Sequence, residues 1–320
     1  MLRSFLIYLS KADWAKRTVT NWKFAWKTAS RFIAGESLED AIRVVKELNQ
    51  KNIYATLDHL GELTSNPEKA VTATQDILRI LDVIDQAGVK ANVSLKLTQI
   101  GLALDEDLCT QNLKAVLETS KKHNTFIRID MEDSQWVDKT LAIYQRVREE
   151  CGCDNIGVVI QAYLYRSEKD IEALLKSSTR IRLCKGAYKE PADIAFPKKR
   201  DVDANYDRLA AMLIEGACAL SAPEVSPDGK IPPIPAFATH DEKRISFAKA
   251  YSQKAGLPSR AIEFQMLHGI RRDLQESLSK EGFPVRVYVP YGSEWYPYFT
   301  RRLAERPANL WFFVSNFFRR

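Results

Sequence analysis

Near the end of the chain, "YPYFTRRLAE" sets Arg301 beside Arg302, with Tyr298 before them and Glu305 after. On a helix these four residues lie three and four positions apart and share a face. Adjacent guanidinium forks suit a carboxylate held by several hydrogen bonds. A solvated face with an Arg-Glu pair worth about 0.3–0.5 kcal/mol accounts for the same spacing. A second set of polar side chains recurs at the ends of β-branched runs: Lys96 in "ANVSLKL", Asp130 in "TFIRIDM", Gln161 in "IGVVIQA", Arg182 in "RIRLCKG" and Tyr288 in "VRVYVPY". Charged groups on an apolar scaffold need partners or a ligand, although Lys96 and Asp130 alone would also make an internal ion pair across neighbouring strands. In "RLCKGAYKEP" the run passes into Lys185 and Gly186. Glycine there lets backbone amides approach an anion, and lysine supplies charge.

Of the four histidines, His123 precedes a β-branched run and reads as a surface residue, whereas His59, His240 and His268 fall at the exits of the first, sixth and seventh runs. With Asp58 they define an alternative, a metal-dependent barrel hydrolase, although no H-x-H pair stands on one strand. His240 beside Thr239 equally suits a hydrogen bond to a cofactor phosphate.

The elements that must carry these residues are legible as an alternation. Eight β-branched runs occur, at 52–58, 91–97, 125–131, 156–162, 180–186, 234–240, 261–267 and 285–291. Between them lie segments such as "LEDAIRVVKEL" and "VTATQDILRILDVIDQAG", apolar at helical spacing. Strand and helix repeated eight times predict a (β/α)8 barrel. The Pro-rich "SAPEVSPDGKIPPIP" reads as a long loop before the sixth strand. Within the strands, Val93, Leu95, Ile127, Ile129, Ile181, Leu183, Val285 and Val287 take one parity, while Ser94, Lys96, Arg128, Asp130, Arg182, Arg286 and Tyr288 take the other. With the apolar parity against outer helices, the polar one faces the barrel axis. Lys96, Asp130, Gln161, Arg182 and Tyr288 gather at the C-terminal strand ends, where barrel active sites form.

The chain of 320 residues is 45% hydrophobic and 28% charged, the balance of a soluble globular protein with a full core. The excess of 47 basic over 41 acidic residues is too small to indicate nucleic-acid binding. It is concentrated in the first thirty-one residues, where Trp14, Trp22 and Trp26 are interleaved with basic side chains. Five cysteines suit a reducing compartment, and "CGCD" lacks the second pair or histidines of a zinc site. No apolar run reaches the roughly 18 residues that span a bilayer. Residues 1–50 are expected to form a helical N-terminal arm and 51–320 the barrel.

"VSLKL", "RIDMED", "VIQAYL", "RLCKGAYKEP", "FATHD", "EFQMLHGI", "VYVPYG" and "YPYFTRRLAE", in this order from Val93 to Glu305, resemble the catalytic domain of the proline dehydrogenase family. The resemblance is to the short monofunctional bacterial form, without an attached aldehyde dehydrogenase or DNA-binding region. It implies a distorted (β/α)8 barrel carrying noncovalent FAD. The implied reaction oxidises L-proline to Δ1-pyrroline-5-carboxylate, with hydride passing from C5 to flavin N5 and electrons to a membrane quinone. By motif, Lys96, Arg301 and Arg302 would bind the proline carboxylate, Asp130 and Tyr288 would shape the ring pocket, and Arg182 would sit near N5. Met131, Gln161, Lys185, Gly186, Ala187, Thr239 and His240 would contact FAD. Glu62, in "LDHLGE", matches the position that pairs with an arginine to close the site. Lys189 departs from the long relatives, which carry an aromatic there. The basic arm and the C-terminal "LWFFVSNFFRR" suit either an anionic membrane surface, where quinone would be met, or packing on the barrel or a partner subunit. The expected location is the bacterial cytoplasm, at the inner face of the membrane if the arm binds there.

Overall fold

The computed structural model describes residues 26, 29–61 and 63–305; in the last helix the side chains of 301 and 303–305 fall outside that description. All eight predicted strands form. They are β1 (Tyr54–His59), β2 (Ala91–Leu95), β3 (Ile127–Ile129), β4 (Ile156–Gln161), β5 (Arg180–Cys184), β6 (Pro235–Ala238), β7 (Glu263–Leu267) and β8 (Val285–Tyr291). All pair in parallel, and β8 returns to β1 to close the barrel. The helices are α1 (Leu38–Asn49), α2 (Pro67–Ala87), α3 (Glu106–Lys122), α4 (Ser134–Cys151), α5 (Ser167–Lys176), α6 (Lys199–Ala219), α7 (Glu242–Lys254), α8 (Arg272–Lys280) and α9 (Trp295–Glu305).

Local chemistry sets several helix ends. Asn66 accepts from the Lys69 amide to cap α2, Pro67 opens it, and Gly88 closes it in the left-handed conformation. Asp105 caps α3 in the same way through the Leu108 amide.

The parity reading holds. Leu57, Val93, Ile127, Ile181 and Val287 are fully buried between strands and helices. The register aligns Ser94 with Arg128, Arg182 with Ala236 and Gln265 with Arg286 on the axial face. The barrel interior is therefore unusually polar. Arg286, 1% exposed, forms a forked pair with the fully buried Glu263 at 2.9 and 3.0 Å. Arg128 donates to the Val158 carbonyl at 2.8 Å, and Gly157 makes room for it: a Cβ there would lie 2.8 Å from the guanidinium.

The Pro-rich loop has a role the sequence reading did not give it. It forms the floor of the barrel, because Arg286 donates to the Gly229 carbonyl at 2.8 Å, Asn92 to Lys230 at 3.0 Å and Arg180 to Pro232 at 2.6 Å. Gly229, at φ +70°, lies against the Tyr54 ring where a Cβ would not fit.

The distortion lies at the seam between the last and first strands. Helix α1 packs on both β8 and β1. Helix α9 instead joins a separate apolar cluster in which Trp295, Tyr296, Tyr298 and Phe299 meet Ala29, Phe32, Ile33 and Leu60. Leu60 directly follows β1, so this cluster seats α9 at the C-terminal rim of the barrel. No helix among the described residues is long and apolar enough to cross a membrane.

Candidate active site

Asp130, one residue beyond β3, is the hub of the site. Its Oδ1 accepts from Arg182 Nη1 at 2.8 Å and Ser94 Oγ at 2.7 Å, and its Oδ2 accepts from the Tyr288 hydroxyl at 2.8 Å. The Arg182 guanidinium also lies over the Tyr288 ring, 5.5 Å from its centre. Burial, then the charges of Asp130 and Asp58, pushes the Tyr288 hydroxyl well above its usual range, so it stays protonated and donates. The internal ion pair considered between Lys96 and Asp130 is not the one formed. Asp130 pairs with Arg182, and Lys96 Nζ lies 3.5 Å from Asp58 Oδ1. Burial raises the Asp58 carboxyl above the ordinary range, with the Lys96 charge opposing the shift.

A cavity of about 660 Å³ opens above this network. Lys96, Asp130, Arg182, Tyr288 and Arg302 line it together with Met131, Gln161, Lys185, Gly186, Ala187, Thr239 and His240. Every predicted site residue other than Glu62 and Arg301 thus reaches one cavity. Glu62 and the side chain of Arg301 lie outside the described residues. Arg302 arrives from α9 with its guanidinium stacked on Tyr298, 5.2 Å from the ring centre, so the helical spacing does bring these two together. Sequence reading missed Val159, Cys184, Tyr188, Lys199, Ala238, Asp241, Gln265, Met266 and Leu267 in the lining; it named Asp58 only as a metal ligand and Ser94 only by parity, and both contact lining residues from beneath. The axial parity of Asp58 and Ser94 was the available clue.

Three other lining residues, Gln161, Gly186 and Lys185, are held from behind. Gln161 Nε2 donates to the Glu132 carbonyl at 2.8 Å. Gly186 sits at φ +108° with the Tyr163 ring where a Cβ would be, 2.3 Å away, so no larger residue fits the turn. Lys185 is pinned by Asp203 and, at 2.6 Å, by Asp241. Lys199 and Arg244 share these carboxylates, so Lys185 meets the cavity as part of a charge network.

The histidines do not assemble a metal centre. His59 has outward parity, stacks on Tyr291 and lies 3.5 Å from Asp76 on α2. His240 Nε2 accepts from the Leu267 amide at 3.0 Å. Burial and then Arg272 lower His268 to about 4, which keeps it neutral near pH 7. No three His, Cys, Asp or Glu side chains among the described residues converge on a possible metal position.

A closed parallel barrel with ionic side chains around one cavity at its C-terminal rim defines a (β/α)8-barrel enzyme. The family model described as proline dehydrogenase matches residues 41–314. Proline dehydrogenase 2 of Bacillus subtilis is 39% identical over 311 residues, covering 97% of this chain and 96% of that protein. Proline dehydrogenase of Deinococcus radiodurans is 41% identical over 293 residues, 91% of this chain and 90% of that one. A crystal structure of proline utilization A from Bdellovibrio bacteriovorus, inactivated by N-propargylglycine, superposes with a TM-score of 0.78 at 25% identity. That match covers 88% of this chain and 33% of the other, so the chain spans about a third of that larger protein. The chain belongs to the proline dehydrogenase family and is an oxidoreductase of proline catabolism. The family is flavin-dependent in general, and the metal-dependent hydrolase reading falls.

Proposed function

We propose that the chain oxidises L-proline to Δ1-pyrroline-5-carboxylate using noncovalently held FAD, and that the electrons go on to a membrane quinone. The convergence of Lys96, Asp130, Arg182, Tyr288 and Arg302 on a single cavity carries this reading. FAD is compatible with the remaining lining. The Gly186 turn brings backbone to the cavity edge, Met131 offers an apolar face, and the buried Nε of Arg182 has no hydrogen-bond partner among the described residues. Gln161, Lys185, Gly186, Ala187, Thr239 and His240 would hold the cofactor. Bound FAD would supply the two-electron acceptor for the hydride that leaves proline C5.

The residues of the chain then have separable tasks. Lys96, Arg301 and Arg302 receive the substrate carboxylate, because an ammonium and two guanidinium forks satisfy several carboxylate lone pairs at once. Asp130 and Tyr288, locked to each other and to Arg182, wall the ring so that C5 is presented in one orientation. The cationic lining, with Lys96, Arg182 and Arg302 in it, would lower the pKa of the substrate amine and favour its loss of a proton before oxidation. Glu62 is proposed as the gate that pairs with an arginine of α9. Anaerobic addition of L-proline to the yellow holoenzyme should bleach the flavin band; a band that persists overturns the reading.

Residues 1–50 are proposed as an N-terminal arm preceding the barrel of 51–320, with α1 docked on the barrel wall. The basic, Trp-bearing residues 1–30 and the apolar 310–320 support a peripheral contact with an anionic membrane on the cytoplasmic side. Most of the arm and the whole C-terminal tail lie outside the described residues. A chain lacking residues 1–30 should float less with anionic liposomes than the full chain; equal flotation removes the arm from the proposal.

A further inference from the structure

We propose that Asp58 is a positioning residue for proline oxidation: from beneath the cavity its carboxylate fixes the Lys96 ammonium where the substrate carboxylate is received. This rests on the reading of Lys96 given above. Asp58 follows Thr56 on the axial parity of β1 and is 1% exposed. It does not line the cavity itself; Lys96 does. The ion pair between them spans 3.5 Å.

The neighbouring contacts single out this pair. The other acid of the site, the partly buried Asp130 of the cavity lining, is engaged by Arg182, Ser94 and Tyr288. Each acid therefore serves its own cation. The backbone of Lys96 is fixed as well. Lys96 stands in an extended conformation just before the short 3-10 turn Leu97–Ile100, and Thr98 in that turn donates to Glu132 from its amide at 3.2 Å and from its hydroxyl at 2.7 Å. Glu132 belongs to the segment leaving β3. Lys96 is thus pinned through its backbone from one flanking strand and through its side chain from the other.

A lysine is a compact charge on a flexible stem with several rotatable bonds. Holding that charge in place beforehand removes an entropic cost that substrate binding would otherwise carry. A buried carboxylate also keeps the ammonium from folding back onto Asp130, which would break the Asp130–Arg182–Tyr288 lock. The energy of the pair is thereby directed at substrate affinity more than at the chemical step. Asp58→Asn keeps the shape and removes the charge.

The test is a double-mutant cycle on the flavin-loaded enzyme, with Asp58→Asn, Lys96→Met and the two combined. Asp58→Asn should raise the proline KM by roughly 10-fold, equivalent to a coupling of about 1.4 kcal/mol, while kcat moves by less than about 3-fold. In the Lys96→Met background the same change should leave KM within about 2-fold. Asp58→Glu, which retains the charge on a longer arm, should fall between the wild type and Asp58→Asn; it carries the comparison if Asp58→Asn does not accumulate as folded flavoprotein. An unchanged KM in Asp58→Asn, or an equal penalty with and without Lys96, overturns the positioning role while leaving the substrate reading intact. A normal proline KM in Lys96→Met overturns both.

Discussion

At the scale of single residues, the site depends on how few partners each charge has to share. Asp130 satisfies a guanidinium, a serine hydroxyl and a phenol at once, and Tyr288 stays protonated because burial and two carboxylates hold it so. Replacing Asp130 by Asn turns one acceptor into a donor facing either Arg182 or Tyr288. We expect kcat/KM for proline to fall by roughly 10²-fold, the loss of one or two charge-assisted hydrogen bonds, with flavin content preserved. Steady-state kinetics beside a flavin-to-protein ratio checks this, and undiminished kcat/KM would remove Asp130 from the site. Strand parity made these residues legible, since it put Lys96, Asp130, Arg182 and Tyr288 on the axis before any contact was known. Partner choice was not legible. Lys96 and Asp130 stand at the ends of adjacent strands, yet Lys96 turns back to Asp58 on β1 and Asp130 reaches past β4 to Arg182 on β5, so strand adjacency alone does not choose the partner. The same parity, applied one residue further, separates inward Asp58 from outward His59 and disposes of the metal site.

At the scale of elements, all eight strands were readable because their β-branched runs are short and separated by clear helical periodicity. The position of the last helix was not. Helical spacing correctly joins Tyr298 to Arg302, but it cannot say that α1 occupies the wall beside β8 and β1, so that α9 is carried to the barrel mouth. That outcome is a competition between two amphipathic helices for one seat. It makes the placement of Arg301 and Arg302 dependent on a small cluster separate from the main core, and Phe299, 2% exposed, lies in it beside Phe32 and Trp295. Phe299→Ala should cost about 3–5 kcal/mol of local packing. Because that loss falls on docking of α9 and not on the barrel, the proline KM should rise by at least roughly 10-fold. The main thermal transition of the barrel should hardly move. A large drop in that transition with an unchanged KM would show that the cluster is part of the barrel core.

At the scale of the whole molecule, the same axis that carries the site at one end carries a structural ion pair at the other. Arg286 and Glu263 are fully buried, and Arg286 also donates to the Ala55 carbonyl at 2.9 Å and to Gly229 in the floor loop. Parity placed Arg286 on the axis and implied that it needed a partner; it did not reveal that the partners include the backbone of a proline-rich loop. A loop whose carbonyls are spoken for by core arginines leaves no hydropathy pattern, only a run of turn residues. Glu263→Gln strands the guanidinium without its counter-charge, at a cost of about 3–5 kcal/mol. The thermal midpoint should fall by several degrees or more, and cleavage by a protease within 222–233 should quicken as the floor loosens. Replacing both residues by methionine should restore part of the midpoint, because no buried charge is left over. It should not restore protection of the loop, whose Gly229 carbonyl would still lack the Arg286 donor. Proline KM should stay near the wild-type value in both variants, since neither residue lines the cavity. A Glu263→Gln protein that melts with the wild type and resists cleavage equally would mean that hydrogen bonding alone, without the charge pair, holds the floor in place.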